Sequence, residues 1–313
     1  MVEEIPLYSP SGSGVHVYLR IEREGLSTPE VVHALARAVG VHPSQVGYSG
    51  LKDKHARVIQ WFSLPLASGE AQEVAERVAQ ATGLVVLEAS RHTNKLRRGH
   101  LLGNRFRVVV SGVGPDALEL ARATARELAE AGLPNFFGPQ RFGRQGDNAV
   151  RGKEVVLGRK VGSKWLRQLL ISAYQSLLFN RWLARRMEEG LFTRLIEGDI
   201  AKKLATGGLF TVAEPEAEAG RMARWEITYT GPIFGHRMLP AQGLAREREL
   251  KILAEEGVTS QQLKAARAMG SRRPARLPLP ELEIEPHPEG IELVFALPKG
   301  SYATTLLREF IKP

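Results

Sequence analysis

The segment "SKWLRQLLISAYQSLLFNRWLARRMEEG", residues 163–190, constrains the fold more than any other part of the sequence. Its apolar residues recur at helical spacing and almost encircle the helix that they predict, and Ser163 is placed to cap the N-terminus. A helix that is apolar on nearly every side has to be buried on more than one side. The sequence therefore predicts a long helix enclosed by a core.

The first 158 residues mix strand and helix patterns. "VHVYLRIER", residues 15–23, alternates apolar and polar residues and predicts a half-buried strand. The following segment predicts a helix, with Thr28 as its N-cap and Gly40 closing its C-terminus. Further strands and helices follow without regular βαβ spacing. We therefore expect an α+β domain with a largely antiparallel sheet. "SRRPARLPLP", residues 271–280, is predicted to be a linker because it is rich in proline.

Composition excludes several classes of protein. The chain has 313 residues, of which 43% are hydrophobic and 25% charged, the balance of a soluble globular protein. No apolar run approaches the about 18 residues of a membrane helix, and the N-terminus lacks the apolar stretch of a secretory signal. The absence of cysteine excludes disulfides, thiolate nucleophiles and cysteine-bound metals. We expect a cytoplasmic protein.

A net charge of +9 favours a polyanionic partner, although genome composition or heat adaptation explains a basic chain equally well. "SRHTNKLRRGHLLGNRFR", residues 90–107, is the densest basic run. Taken alone it is typical of a solvated charged loop, and in a strongly basic chain it indicates contact with nucleic-acid phosphates.

"GYSGLKDKHARVIQWFS", residues 47–63, places one carboxylate, Asp53, among Lys52, Lys54 and His55. An Asp in a Gly/Lys turn is most often a turn former, and the alternative is a carboxylate that carries chemistry. The sequence contains no HExxH, P-loop or metal-binding histidine spacing. If the protein is an enzyme, we therefore expect it to use no metal and no cofactor.

"NFFGPQRFGRQGDN", residues 135–148, sets three phenylalanines between glycines and beside Asn135, Gln140 and Arg141. Neighbouring aromatic residues usually belong to a core. In a glycine-lined loop with amides and arginines they also suit a stacking platform for a flipped-out base.

These segments together resemble the TruD family of tRNA pseudouridine synthases. The resemblance is carried, in order along nearly the whole chain, by "GLKDKHA" with "QWFS", "HTNKLRRGHLLGNRF", "NFFGPQRFG", "SAYQSLLFNRWL", "GPIFGHRM" and "LPKGSYATTLLRE". It implies an α+β pseudouridine synthase catalytic domain, formed by residues 1–158 and 278–313. An inserted α/β TRUD domain would occupy residues 159–277.

The resemblance also implies site residues. It places the catalytic aspartate at Asp53, a uracil-contacting asparagine at Asn135, and active-site aromatics at Phe137 and Tyr302. Relatives often have Phe in place of Tyr302, and many carry a Lys and a Phe upstream of the Val-Glu that is Val2-Glu3 here. We expect those two groups to be missing or replaced.

The implied reaction converts a uridine of transfer RNA, at position 13, to pseudouridine. The carboxylate attacks C1′ or abstracts the C2′ proton, and both routes stay open. We expect Gln140 to help bind the substrate, and Arg141 to pair with Asp53, hold a phosphate or form a structural salt bridge. Candidates for RNA-backbone contact are Lys52, Lys54, His55, Lys95, Arg97 and Arg98. We expect no obligatory protein partner and no contact with membranes.

Two other functions account for the same residues. A non-catalytic RNA-binding or RNA-chaperone protein would use the same basic and aromatic surface. A nucleoside or nucleotide hydrolase would usually need a second carboxylate or a metal to activate water. Asp53 and its surroundings are what distinguishes the synthase from a binding protein.

Overall fold

The computed structural model describes residues 1–66 and 68–311. Its strands are β1 (Val2–Pro6), β2 (His16–Arg23), β3 (Gly47–Tyr48), β4 (Val58–Leu64), β5 (Val85–His92), β6 (Leu101–Ser111), β7 (Leu133–Pro134), β8 (Ile200–Lys203), β9 (Leu209–Thr211), β10 (Ile227–Ile233), β11 (Ser271–Pro274), β12 (Arg276–Leu277), β13 (Glu283–His287) and β14 (Gly290–Pro298). Its α-helices are α1 (Thr28–Val39), α2 (Ala71–Thr82), α3 (Ala117–Ala131), α4 (Asn148–Val156), α5 (Lys164–Glu188), α6 (Pro215–Ala223), α7 (Gly243–Glu255), α8 (Ser260–Ala265) and α9 (Ala303–Phe310). Short 3-10 helices span Pro43–Gln45 and Pro139–Phe142.

The chain forms two compact units, each of which is discontinuous in sequence. Unit 1 comprises residues 1–122 and 281–300, and unit 2 comprises residue 123 to residue 280 and the chain from residue 301. The predicted inserted domain, 159–277, lies inside the range of unit 2, and its boundaries stay a prediction. No helix among the described residues is long and apolar enough to cross a membrane.

Unit 1 is built on one large sheet. Within the described residues it has eight strands in the order β13-β14-β6-β1-β4-β2-β5, and β3 pairs with β4. The pair β1 and β4 is parallel, whereas the other neighbours are antiparallel. The α+β class and the largely antiparallel sheet are therefore confirmed. Val17, Leu19 and Ile21 are buried on one face of β2, as the alternation predicts.

Helix α1 begins one residue earlier than predicted. Ser27 has extended backbone angles, and its hydroxyl accepts a hydrogen bond from the Glu30 amide. The Glu30 carboxylate in turn accepts one from the Ser27 amide. Thr28 is therefore the first helical residue and not the cap. Its buried hydroxyl instead donates a hydrogen bond to the buried side chain of Gln60. Gly40 closes the helix in the left-handed region, as predicted.

Unit 2 is organised around α5. Ser163 caps this helix by accepting a hydrogen bond from the Leu166 amide, which confirms the predicted start. Its buried residues lie on several sides and belong to the main core cluster, together with residues of α4, β8, β10 and α8. One small sheet has the order β11-β10-β8-β9, and β7 pairs with β12.

The predicted linker at residues 271–280 is wrong. Residues 271–274 form β11 on the edge of the small sheet, and β12 pairs with β7. Arg272 is buried in an ion pair with Glu249 at 2.8 Å, and Arg276 donates to the Ala131 carbonyl at 2.6 Å. The segment resembles a linker in composition because its arginines are charged and its prolines frequent. Partners distant in sequence bury those charges.

A second buried ion pair joins α5 to the segment before β8. Arg186 donates to both oxygens of Asp199, at 2.8 and 2.6 Å, and each side chain is 2% exposed. The guanidinium also lies 3.8 Å from the centroid of the Tyr229 ring and donates to the carbonyls of Leu191 and Arg194. The charge of Asp199 raises the pKa of Arg186 against the opposing effect of burial.

Replacing Asp199 by Ala should destabilise the protein by about 3–5 kcal/mol, because it leaves the Arg186 charge buried and unpaired. The matched control is Glu154→Ala, which removes the partner of Arg159 in an exposed pair and should cost no more than about 1 kcal/mol. Urea unfolding followed by tryptophan fluorescence measures both variants. Equal losses of unfolding free energy in the two variants would show that the buried pair contributes no more to stability than the exposed pair.

Candidate active site residues

The loop that carries Asp53 joins β3 to β4 in unit 1 and is held by hydrogen bonds to its backbone. The Lys52 amide donates to the Thr28 hydroxyl at 3.0 Å, and the Gln60 side chain donates to the Gly50 carbonyl at 2.7 Å. Thr28 in turn donates to Gln60 at 3.2 Å. Because both side chains are fully buried, the loop is fixed from its interior side.

Arg23 supports the same loop and was not expected from the sequence. It is 3% exposed, and its guanidinium donates to Thr28 at 3.3 Å and to the carbonyls of Lys52 at 3.4 Å and Asp53 at 3.5 Å. Burial lowers the pKa of Arg23, while the charges of Glu30 and Asp53 oppose that change. A signal was present, because Arg23 continues the alternation of Val17, Leu19 and Ile21. A charge at a core-facing position indicates a buried partner.

Asp53 is exposed, and its carboxylate forms a local turn. Oδ1 accepts a hydrogen bond from the His55 amide at 3.0 Å, which is the turn-former geometry. Oδ2 has no hydrogen-bond partner among the residues that the structure describes. The turn therefore orients the carboxylate while one oxygen remains available for chemistry.

The lysines beside Asp53 have carboxylate partners of their own. Lys52 lies 2.9 Å from Glu4, and the two side chains are 6% and 1% exposed. Lys54 lies 3.0 Å from Glu30, with both side chains about half exposed. The local cluster of cations is thus divided between a buried pair that anchors the loop and an exposed pair with Glu30 of α1.

Asn135, in unit 2, is buried with both ends of its side chain engaged. Its amide nitrogen donates to the Pro274 carbonyl at 2.8 Å, and its oxygen accepts from the guanidinium of Arg273 at 2.5 Å. Arg273 also donates to the Asn135 carbonyl at 3.0 Å. These contacts fix the orientation of the amide.

Phe137 lies among aromatic and cationic groups of unit 2. Arg273 is 4.0 Å from the centroid of its ring, Phe179 meets it edge-on at 5.6 Å, and Tyr302 is tilted against it at 6.0 Å. Asn180 clamps its backbone by bonding both the amide, at 2.8 Å, and the carbonyl, at 2.9 Å. The structure therefore brings together two predicted site residues, Phe137 and Tyr302, whose sequence positions are far apart.

Arg273 links the two predicted uracil contacts, because it bonds Asn135 and stacks on Phe137. Burial lowers its pKa to about 10, so the guanidinium stays charged at neutral pH. The sequence pattern did not predict this role, because Arg273 lies in the segment interpreted as a linker.

Gln140 and Arg141 follow in the same unit. Gln140 is exposed and accepts a hydrogen bond from Thr304 at 3.2 Å, and Arg141 donates to Ser176 of α5 at 3.0 Å. Gly138 allows this packing, since a Cβ there would lie 2.6 Å from Gln140 and 2.7 Å from Thr304.

A cavity of about 510 Å³ lies in unit 2 beside these residues. Phe136, Phe137, Asn180 and residues of α9 line it. Its volume is within the range of about 300–1,000 Å³ that small-ligand sites occupy. Phe136 and Phe137 also pack against the main core cluster, as the core interpretation of the aromatic run expects. The stacking platform stays a prediction.

The remaining RNA-backbone candidates lie in unit 1. Lys95 donates to the Ser44 carbonyl at 2.6 Å and Arg98 donates to the Tyr48 hydroxyl at 3.0 Å, whereas Arg97 and His55 are exposed. No group of three or more His, Asp or Glu side chains within residues 1–66 and 68–311 is arranged to hold a metal ion.

Comparisons with known proteins agree over the length of the chain. The family model for tRNA pseudouridine synthase D (TruD) matches residues 1–163 and 159–310. The tRNA pseudouridine synthase D of an Anaeromyxobacter species is 48% identical over 321 residues, covering 99% of this chain and 89% of that protein. The protein of the same name from Thermus thermophilus is 49% identical over 312 residues, covering 99% and 86%. A crystal structure of a Methanosarcina mazei protein described as tRNA pseudouridine synthase D superposes with a TM-score of 0.81 at 25% identity, covering all of this chain and 91% of the other.

Replacing Lys52 by Met should destabilise unit 1 by about 3–5 kcal/mol, because it leaves Glu4 buried without a counter-charge. The neighbouring variant Lys54→Met breaks an exposed pair and should cost at most about 1 kcal/mol. Urea unfolding gives both values, and limited proteolysis within residues 49–57 reports loosening of the loop. If the two variants unfolded alike, the buried pair would not be the anchor of the Asp53 loop.

Proposed function

Because the chain belongs to the TruD family of tRNA pseudouridine synthases, which are isomerases, we propose that it converts the uridine at position 13 of transfer RNA to pseudouridine with Asp53 as its catalytic residue. The observation that carries this proposal is the Asp53 loop. A buried arginine, a buried ion pair and two buried polar side chains hold its backbone, while its carboxylate is exposed and has one unbonded oxygen. A rigid loop with an accessible carboxylate suits a group that must meet a substrate in one geometry.

One carboxylate is sufficient for this isomerisation. The bond between N1 and C1′ breaks, the uracil rotates, and C5 bonds to C1′. C5 then loses its proton and N1 gains one, directly or through solvent, so that no group is gained or lost overall. Asp53 would either attack C1′ and later leave, or abstract the C2′ proton to give a glycal and later return it. Both routes need the ionised carboxylate.

The target uridine would have to leave the RNA stack to reach the carboxylate. We propose that Asn135 contacts the uracil edge, using the amide hydrogen and oxygen lone pair that Pro274 and Arg273 do not occupy. Phe137 and Tyr302 would supply the aromatic surface, with Gln140 and Arg141 binding neighbouring polar groups. The cavity beside Phe137 and the fixed orientation of Asn135 support this assignment.

Transfer RNA is the proposed partner, and we propose no obligatory protein partner and a cytoplasmic location. An inserted TRUD domain at residues 159–277 is likewise part of the proposal. One assay separates the synthase from a binding protein and from a hydrolase. The protein is incubated with unmodified transfer RNA, and the digested RNA is analysed for pseudouridine, for free uracil, or for neither.

Replacing Asp53 by Asn should abolish pseudouridine formation, because the amide is neither a nucleophile nor a base at this step. Transfer RNA affinity should persist, since phosphate contacts supply most of it. Mass spectrometry of digested RNA and a filter-binding assay measure the two properties. Turnover near the wild-type rate would remove Asp53 from the mechanism.

Replacing Phe137 by Leu should lower kcat/KM about tenfold, since leucine keeps apolar volume but loses base stacking worth about 1–3 kcal/mol. Phe142→Leu, in the same segment, is the control and should stay within about twofold of wild type. Melting temperatures show whether packing is preserved. An unchanged kcat/KM in a normally folded Phe137→Leu protein contradicts the stacking role.

A further inference from the structure

A second cavity, of about 370 Å³, lies in unit 1, and we call it the Tyr48 cavity. It is bounded by the start of α1, the 3-10 helix Pro43–Gln45, β3 and the loop 95–98. None of the residues that the proposed chemistry uses lines it. We propose that the Tyr48 cavity binds one unpaired nucleotide of the substrate RNA, at a position away from the uridine that reacts. This inference rests on the proposed function, because it assumes that the RNA substrate binds this protein.

The chemistry of the lining indicates a nucleotide. The floor is apolar, with Val32, Val46 and Leu96 buried beneath it, and the half-buried ring of Tyr48 forms part of the wall. A flat apolar and aromatic surface is what a base requires for stacking. The volume again lies within the about 300–1,000 Å³ of small-ligand sites.

The rim of the cavity is cationic. Lys95, Arg97 and Arg98 line it, while no Asp or Glu is among the lining residues of this described part of the chain. Cations beside an apolar surface suit a nucleotide, because the cations can contact its phosphate while the apolar surface contacts its base. The Arg98 guanidinium bonds the Tyr48 hydroxyl at 3.0 Å and lies 5.6 Å from the centroid of its ring, so the cation and the aromatic wall adjoin.

The cationic loop is preorganised and is not a solvated charge run. The Leu96 amide donates to the buried Ser63 hydroxyl at 2.9 Å, and the Gly99 amide donates to the Ser49 carbonyl at 2.8 Å. Lys95 donates to the carbonyl of Ser44, another lining residue, at 2.6 Å. Gly47 permits the close approach, because a Cβ there would lie 2.4 Å from the Leu96 carbonyl. Fixed cations lose less conformational entropy on binding than mobile ones.

The test compares base and phosphate contacts in the full-length protein. Affinity for unmodified transfer RNA is measured at several salt concentrations for Tyr48→Leu, for the double variant Lys95→Gln with Arg98→Gln, and for Arg77→Gln as an exposed control on α2. Tyr48→Leu should weaken binding about tenfold without changing the slope of log affinity against log salt. The double variant should reduce that slope by about 1.4, as two single-strand phosphate contacts are lost. Arg77→Gln should match wild type.

Ultraviolet cross-linking supplies a readout that is independent of affinity. After nuclease digestion, a nucleotide adduct on Tyr48 or His33 is expected by mass spectrometry, and it should disappear in the double variant. Melting curves show whether Tyr48→Leu is folded. If Tyr48→Leu does not fold, the double variant still tests the proposal. The proposal for the Tyr48 cavity alone would be overturned if both variants kept the wild-type affinity and salt slope and the wild-type protein gave no adduct while still forming pseudouridine. If the wild type neither binds nor modifies transfer RNA, the proposed function fails and this inference with it.

Discussion

A charge that is buried in a protein must find partners in the interior, and in this chain the requirement falls mainly on arginine. Arg23, Arg186, Arg272 and Arg276 are the clearest cases, and each donates to backbone carbonyls. Arg23, Arg186 and Arg272 donate to side chains as well. A guanidinium has five donors in a rigid plane, so one side chain can join several segments. Both groups of candidate site residues depend on such an arginine, Arg23 beneath Asp53 and Arg273 between Asn135 and Phe137.

The same requirement changes how the net charge of +9 is interpreted. A basic chain favours a polyanion, but a buried arginine is bonded inside the protein and does not face solvent. Arg186 and Arg272 are moreover paired with Asp199 and Glu249. The exposed cations near the Tyr48 cavity are a small part of the total. Their value for RNA binding comes from position, because a fixed loop holds them on the rim of an apolar surface with no carboxylate in the lining.

The cations around Asp53 illustrate the difference between proximity in sequence and proximity in structure. Lys52 and Lys54 flank the aspartate, yet each forms its ion pair elsewhere, with Glu4 and Glu30. The conformation of the loop separates the role of Lys52, which anchors the loop through its buried ion pair, from the role proposed for the carboxylate. A loop fixed by buried contacts needs no ligand to order it, and that favours catalysis by a group waiting in position.

The sequence by itself determined the elements whose signal is local. The periodicity of residues 163–190, the cap at Ser163 and the alternation in β2 predicted a buried helix and an antiparallel sheet, because hydrophobic spacing and capping depend on near neighbours. Order and identity of motifs also predicted the family, and with it Asp53, Asn135, Phe137 and Tyr302 as candidates. The predicted N-cap, Thr28, was wrong by one residue. Ser27 and Thr28 both carry a hydroxyl, and only the extended backbone angles of Ser27 identify it as the cap.

Tertiary structure alone decided which charges are buried and what they hold. The segment 271–280 has the composition of a linker, and it became two strands because its arginines met acceptors more than a hundred residues away in Ala131 and Asn135. The contact between Phe137 and Tyr302, the support of Arg23 under the Asp53 loop and the two cavities arise in the same way. Composition and periodicity describe a residue among its neighbours in the chain, whereas burial and pairing depend on residues that only the folded chain brings close.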